Sequence, residues 1–172
     1  MILEDVDGFT FNFTDAINAF VFDEKDKSKP TYHGAPMKAV DILVELDTAY
    51  LFIEIKDFDD PKAYNINLTT GDEEIKDIRD HFKWLKNYLK YKYRDSYLYR
   101  HAEKKVDKPI HYICLLSFDN ALNNTMQKAL KKELPTGKVS PRWQTNLVES
   151  CQVLNIDRWN QNFPKWPAHK IA

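Results

Sequence analysis

Two apolar runs joined by a short polar break dominate the chain, in the stretch VDILVELDTAYLFIEIKDF over residues 40–58. Side chains in a strand alternate between faces, and these runs predict a β-hairpin over 38–46 and 50–57 with its turn near Asp47-Thr48. Upstream, Phe9, Phe11 and Phe13 alternate, which suits a short strand. Phe13, Ile17, Phe20 and Val21 fall at helical spacing, which predicts a helix over about 14–24 with Thr14 or Asp15 as its N-cap. The polar run 23–30 reads as a solvated loop and 31–36 as a short extended piece. Residues 59–74 have no period and fit a lid, a substrate loop or a partly disordered segment. Ile75, Ile78, Phe82, Leu85 and Leu89 then mark an amphipathic helix that opens at Thr70 or Asp72 and runs toward Arg100. HYICLLSF (111–118) reads as a buried strand. A helix over 120–134 follows, ended by Pro135 and Gly137, then a basic loop over 137–143. The last element, 151–159, reads as a strand, and the tail beyond it as irregular. Neither a repeat nor a linker interrupts the order, so one domain over 1–172 is expected.

Charges interrupt the hairpin at Asp41, Glu45, Glu54 and Lys56. A charge inside a core-like strand is costly unless a partner compensates it. The register decides which of them meet. With a two-residue turn at Asp47-Thr48, Asp41 lies opposite Glu54; with a four-residue loop over 47–50, it lies opposite Lys56. Either way Asp41, Glu54 and Lys56 share a face, whereas a three-residue loop separates them. Val40, Ile42, Val44, Ile53 and Ile55 then form the opposite face, which needs a helix against it. Two carboxylates suit Mg²⁺, which takes hard oxygen ligands and keeps several waters, and the Ile55 backbone carbonyl is a third candidate ligand. The adjacent lysine suits a water or a phosphate oxygen. The plainer alternative is a cross-strand ion pair between Asp41 and Lys56, with Glu45 at the rim.

Composition narrows the class. With 43% hydrophobic and 13% aromatic residues, the 172-residue chain has material for a substantial core. Its apolar runs are all shorter than a membrane span requires, and the acidic start MILEDVDGF lacks a signal peptide's pattern. A cytoplasmic location is expected, with Cys114 and Cys151 as buried free thiols. The net charge of −1 hides an asymmetry. Residues 1–75 hold 6 Lys+Arg and 17 Asp+Glu, a net of −11; residues 76–172 hold 19 and 9, a net of +10. An acidic half carrying candidate metal ligands thus meets a basic half suited to a polyanion.

Asp41, followed after twelve residues by Glu54-Ile55-Lys56 on a hairpin with flanking helices and a later strand, resembles the PD-(D/E)xK nuclease superfamily. The resemblance implies an α/β, restriction-endonuclease-like core in the order α-β-β-β-α-β, with a central mixed sheet flanked by helices and a C-terminal extension. It implies a hydrolase cleaving phosphodiester bonds with Mg²⁺ or Mn²⁺, acting on nucleic acid, DNA ahead of RNA. Asp41 matches the first metal-binding acid, Glu54 the second, and Lys56 the catalytic lysine. Members often add an acid from the first helix. Asp15 is the candidate here, with Asp23 and Glu24 behind it; Val40 departs from the family's proline. The helix after the hairpin often supplies a further polar residue, for which His81, Lys83 and Lys76 are open choices. A homodimer is one option, since many members pair two copies to cut both strands.

The run KYKYRDSYLYRHAEKK (90–105) interleaves tyrosines with cations, as a groove tracking a nucleic-acid backbone does. Lys83, Lys90, Lys92, Arg94, Lys138 and Arg142 are therefore candidate phosphate contacts. The plainer alternative is a helix whose tyrosines pack inward while its lysines reach water. His33, His101 and His111 have no metal-ligand spacing and read as structural. The alternative at the level of function is a non-catalytic nucleic-acid-binding or protein-assembly module on the same fold.

Overall fold

The computed structural model describes residues 1–57 and 78–171, with backbone alone for 78–80. The segment 59–74, the proposed helix start at Thr70 or Asp72, and Lys76 lie outside the described residues.

The frame is a mixed five-stranded sheet. Its strands are β3 (Asn18–Val21), β4 (Ile42–Glu45), β5 (Tyr50–Lys56), β6 (Ile110–Leu116) and β7 (Ser150–Leu154), in that spatial order. β3, β4 and β5 pair antiparallel; β5, β6 and β7 pair parallel. Helix α1 (Ile78–Ala102) connects β5 to β6, and α2 (Asn120–Glu133) connects β6 to β7. Parallel strands need such crossovers, and the strands they link are buried on both faces. β5 and β6 accordingly read as nearly unbroken apolar runs. A second, three-stranded antiparallel sheet is built from β1 (Ile2–Val6), β2 (Phe9–Asn12) and β8 (Ala168–Lys170).

The hairpin has the two-residue register. Ile42 pairs with Ile53 and Leu43 with Phe52, and the Leu46 N–H donates to the Ala49 carbonyl at 2.9 Å around Asp47-Thr48. Period-two alternation then sorts β5 between two cores. Tyr50 and Phe52 join Leu85, Leu89 and Tyr93 of α1 and Met126 and Leu130 of α2. Leu51, Ile53 and Ile55 join Phe9, Phe11 and Phe13 of the small sheet and Trp159 of α3 (Ile156–Asn162).

Four expectations are corrected. No helix occupies 14–24: Asn18–Val21 is the edge strand β3, paired with Glu45 through Ile42. The apparent helical spacing mixed residues with different fates. Phe13 belongs to the aromatic cluster of the small sheet, while Ile17 is exposed. Second, the face of the hairpin carrying Ile42, Val44, Ile53 and Ile55 is covered mainly by a sheet, and Val40 turns to the helical side instead. The helices α1 and α2 pack against the face that carries the charges. Third, the strand over 151–159 stops at Leu154, because the Asn155 side chain caps α3 by accepting from the Arg158 N–H. The tail is ordered too: the Trp159 indole N–H donates to the Trp166 carbonyl at 2.6 Å, and β8 pairs with β2.

Candidate active site

Asp41 lies just ahead of β4 and is buried. Its Oδ2 accepts from the Ile55 N–H at 2.7 Å, a bond across the hairpin that fixes the carboxylate beside β5. Continuing the register past Ile42–Ile53 sets Asp41 opposite Glu54. Glu54 is fully buried, and among the described residues neither of its carboxylate oxygens has a hydrogen-bond partner of good geometry. Two ammonium groups approach it. Lys56 Nζ stands 3.7 Å from Oε1, and Lys92 Nζ stands 3.3 Å from Oε2.

Lys92 comes from the middle of α1 and is itself 5% exposed. Its Nζ lies 3.6 Å from Asp41 Oδ1 and 3.8 Å from Asp23 Oδ2, so three carboxylates surround one ammonium. The docking of α1 explains how it reaches so far inside. One turn beyond Lys92, Ser96 accepts the Val40 N–H at 2.9 Å, and the neighbouring Asp95 accepts the Lys38 N–H at 2.9 Å. Helix and strand are thus tied together directly before Asp41. The Tyr88 ring, one turn earlier, carries Lys38, Lys56 and Lys92 at 5.0, 5.1 and 5.3 Å from its centroid.

Asp7 adds a further carboxyl from the tight turn between β1 and β2, where Asp7 and Gly8 both take positive φ. Although Asp7 keeps an exposed surface, the protein around its carboxyl and the nearby Asp41 charge push its pKa up to about 6, against the pull of Lys56 and Lys92.

Burial sets the electrostatics. It raises the Glu54 pKa to about 8, helped by the Asp41 charge and opposed by Lys92 and Lys56. Burial would lower both lysines, yet the Glu54 and Asp41 charges outweigh it and hold both above the ordinary lysine value. Both ammonium groups therefore persist at neutral pH while Glu54 titrates near it. Burial and Glu54 together also raise the Tyr88 phenol. Perturbation of this kind, concentrated in one cluster, is characteristic of functional sites.

No family model matches the chain, and neither a curated protein nor a solved structure matches it. The reading of the site rests on its own geometry.

Of the residues singled out in the sequence, Asp41, Glu54 and Lys56 converge. Asp15 does not join them: its Oδ1 accepts the Trp166 indole N–H at 2.5 Å beside the small sheet. Asp23, from the end of β3, is the N-terminal acid that reaches Lys92. Lys92 is part of the cluster instead of an open phosphate contact. Lys90 is ion-paired to Glu133 at 3.0 Å, and Arg94 donates to the Glu133 carbonyl at 3.1 Å, so both serve the contact between α1 and α2. Lys83, Lys138, Arg142 and His81 are exposed. Glu45 sits at the rim, paired with Lys108 at 2.9 Å.

Sequence reasoning gave Lys92 the role of a phosphate contact and missed Tyr88 and Asp7. Lys92 did leave a signal. The apolar stripe through Phe82, Leu85 and Leu89 continues at helical spacing to Lys92 and Ser96, so a lysine occupies a position due to face the core. Asp7 left none, because only tertiary folding brings the first hairpin to the site.

Among the described residues, no group of three or more His, Cys, Asp or Glu side chains forms a ready cage for a metal ion. The carboxylates converge on the Lys92 ammonium. The donors still suit a hard divalent cation in kind. Glu54 holds two buried oxygens without hydrogen bonds, Asp41 faces it, and the Ile55 amide is turned toward Asp41. Among the same residues, no helix is long and apolar enough to cross a membrane.

Proposed function

We propose that this chain is a metal-dependent nuclease with a restriction-endonuclease-like core, hydrolysing phosphodiester bonds in nucleic acid, DNA ahead of RNA. The observation that carries this reading is the shared face of Asp41, Glu54 and Lys56, with the unbonded oxygens of Glu54 buried at its centre. A buried carboxylate is costly unless cations compensate it; Lys56 and Lys92 do so here without hydrogen-bonding its oxygens, which leaves those oxygens suited in kind to a hard cation. Asp41 and Glu54, with the Ile55 carbonyl, would hold Mg²⁺ or Mn²⁺; Asp23 replaces Asp15 as the accessory acid. When bound, the ion polarises a phosphoryl oxygen and lowers the pKa of its water.

The chain's own residues have separable tasks. The Asp41 carboxylate is oriented by the Ile55 N–H. Lys56 keeps its proton, and in this reading it orients the attacking water and meets negative charge developing on the phosphate. Lys92 balances the carboxylates from the helical side. The antiparallel half of the sheet supplies Asp23, Asp41 and Glu54, while α1 supplies Lys92 and Tyr88.

The same centre supports a second reading, because the Lys92 ammonium fills the space between Asp23, Asp41 and Glu54. A permanent counter-ion there makes the cluster a closed ion-pair network, and the chain a non-catalytic binding or assembly module. One experiment separates the two. The purified protein is incubated with Mg²⁺ or Mn²⁺ and with single- and double-stranded DNA and RNA, beside Lys56→Ala and Glu54→Ala. The nuclease reading expects cleavage that falls by about 100-fold or more in both variants. Cleavage that survives both substitutions removes the assigned site, and a wild-type protein that cuts nothing leaves the second reading.

A further inference from the structure

Lys38, Lys56 and Lys92 all approach one aromatic ring, that of Tyr88, at 5.0–5.3 Å from its centroid. Two of these lysines are matched by acids: Lys56 by Glu54, and Lys92 by Asp23, Asp41 and Glu54. Lys38 is exposed, and among the described residues no carboxylate lies within ion-pair distance of its ammonium. Its position is nonetheless fixed at both ends. Its backbone N–H is bound by Asp95 of α1, and its ammonium lies over Tyr88 of the same helix. An aromatic face attracts a cation without cancelling its charge. The ring therefore gathers like charges that repel one another, and leaves the outermost one available to an anion arriving from solvent.

We infer that Lys38, held against Tyr88, is a positioning residue that receives a backbone phosphate of the nucleic acid at the mouth of the acid cluster. This rests on the nucleic-acid reading of the site and adds a contact outside its acidic and lysine core. The phosphate bound by Lys38 is a neighbour of the reacting one. Its capture sets the register of the strand over Asp41, Glu54 and Lys56.

The test measures binding of a fluorescein-labelled duplex oligonucleotide in metal-free buffer, where cleavage does not interfere, across a salt series. Each neutralised phosphate contributes about 0.9 to the slope of log affinity against log salt. Lys38→Gln, at an exposed position, is expected to lower the slope by about that amount and to weaken binding roughly threefold at the lowest salt. Tyr88→Phe keeps the ring and should match wild type, whereas Tyr88→Leu should behave as Lys38→Gln does. Lys27→Gln, in the exposed 23–30 loop, controls for general loss of charge. A Lys38→Gln slope equal to that of wild type and Lys27→Gln overturns the assignment, as does a Tyr88→Phe slope that drops as far as that of Tyr88→Leu. Absence of duplex binding by the wild-type protein overturns it as well. Metal-dependent cleavage with an unchanged Lys38→Gln slope removes the Lys38 contact and leaves the nuclease reading. A lost slope in a protein that never cuts does the reverse.

Discussion

Both faces of the five-stranded sheet carry an apolar core, but only one of them also carries a buried ion network. Toward the small sheet, Ile42, Val44, Leu51, Ile53 and Ile55 meet Phe9, Phe11, Phe13 and Trp159 in a layer that is mainly apolar, with the Lys170–Asp57 ion pair at 2.6 Å beside it. Phe11 and Phe13 stack at 5.8 Å, and Trp159 meets Phe11 edge-on at 5.3 Å. Toward the helices, the same strands present Asp41 and Glu54, which are balanced by Lys56 and Lys92. A hydrophobic filling of the same volume is often as stable as a buried ion network, or more so. The contrast teaches where stability was traded. On the helical face the charges sit beside Leu43, Phe52, Leu89 and Tyr93, so the ion network is added to an apolar core and does not replace it.

The largest expected effect falls on the apolar face. Trp159→Ala removes a fully buried indole from the contact with Phe11 and Phe163, and from its bond to the Trp166 carbonyl. Chemical denaturation should show a loss of about 3–5 kcal/mol. If nucleic-acid cleavage per folded molecule drops as well, the two faces are coupled.

Lys92→Met tests the charged face directly. It leaves Asp41 and Glu54 buried with only Lys56 to balance them, and breaking a buried pair on one side costs about 3 kcal/mol or more. A divalent cation should recover part of that loss, read as a metal-dependent rise in melting temperature larger than the wild-type rise. An equal rise in both proteins shows that the ion and the lysine do not share a position.

A subtler difference lies in the response to pH. Glu54 has a folded-state pKa of about 8, above the ordinary carboxylate value, so the folded protein binds this proton more tightly than the unfolded chain does. The resulting stabilisation is complete at acidic pH and is lost as the pH rises toward 8. Asp7, raised to about 6, adds to the same slope at its lower end. Melting temperature in metal-free buffer should therefore fall between about pH 5 and 8. Glu54→Gln should flatten that fall while abolishing cleavage. Substitutions at Ile53 or Ile55, one residue away on the other face, should shift the whole curve without changing its shape. A Glu54→Gln profile parallel to wild type means that the carboxyl is ionised throughout.

How much of this was legible in the sequence differs between the same two faces. The hairpin, α1 and α2 and strand β6 were readable because each has an unambiguous period and a run long enough to show it. The convergence of Asp41, Glu54 and Lys56 was readable too, since an even loop fixes relative faces without knowledge of the rest of the fold. The covering of the apolar face was not. Its aromatics come from the two ends of the chain, Phe9–Phe13 and Trp159, and nothing local shows that β8 returns to pair with β2. The 14–24 segment failed for a related reason. Four residues at helical spacing were outvoted by the free edge of β4, which recruited Asn18–Val21 as a strand and so delivered Asp23 to the site.

That substitution of one acid for another gives the smallest and most discriminating prediction. Asp15 and Asp23 stand on either side of β3 in sequence and are both candidates for the accessory acid, yet they face different regions. Asp15 holds the Trp166 indole beside the small sheet. Asp23 reaches Lys92 and also pairs with Lys25. Asp15→Asn keeps an acceptor for the indole, so stability should move by no more than about 0.5 kcal/mol and cleavage should stay at wild-type rate. Asp23→Asn is as mild sterically, yet it removes one of three charges around Lys92. It should alter the metal concentration needed for half-maximal cleavage, with little change in stability. If Asp15→Asn shifts the metal requirement and Asp23→Asn does not, the acid comes from the aromatic side of the molecule, and the division of labour between the two faces fails.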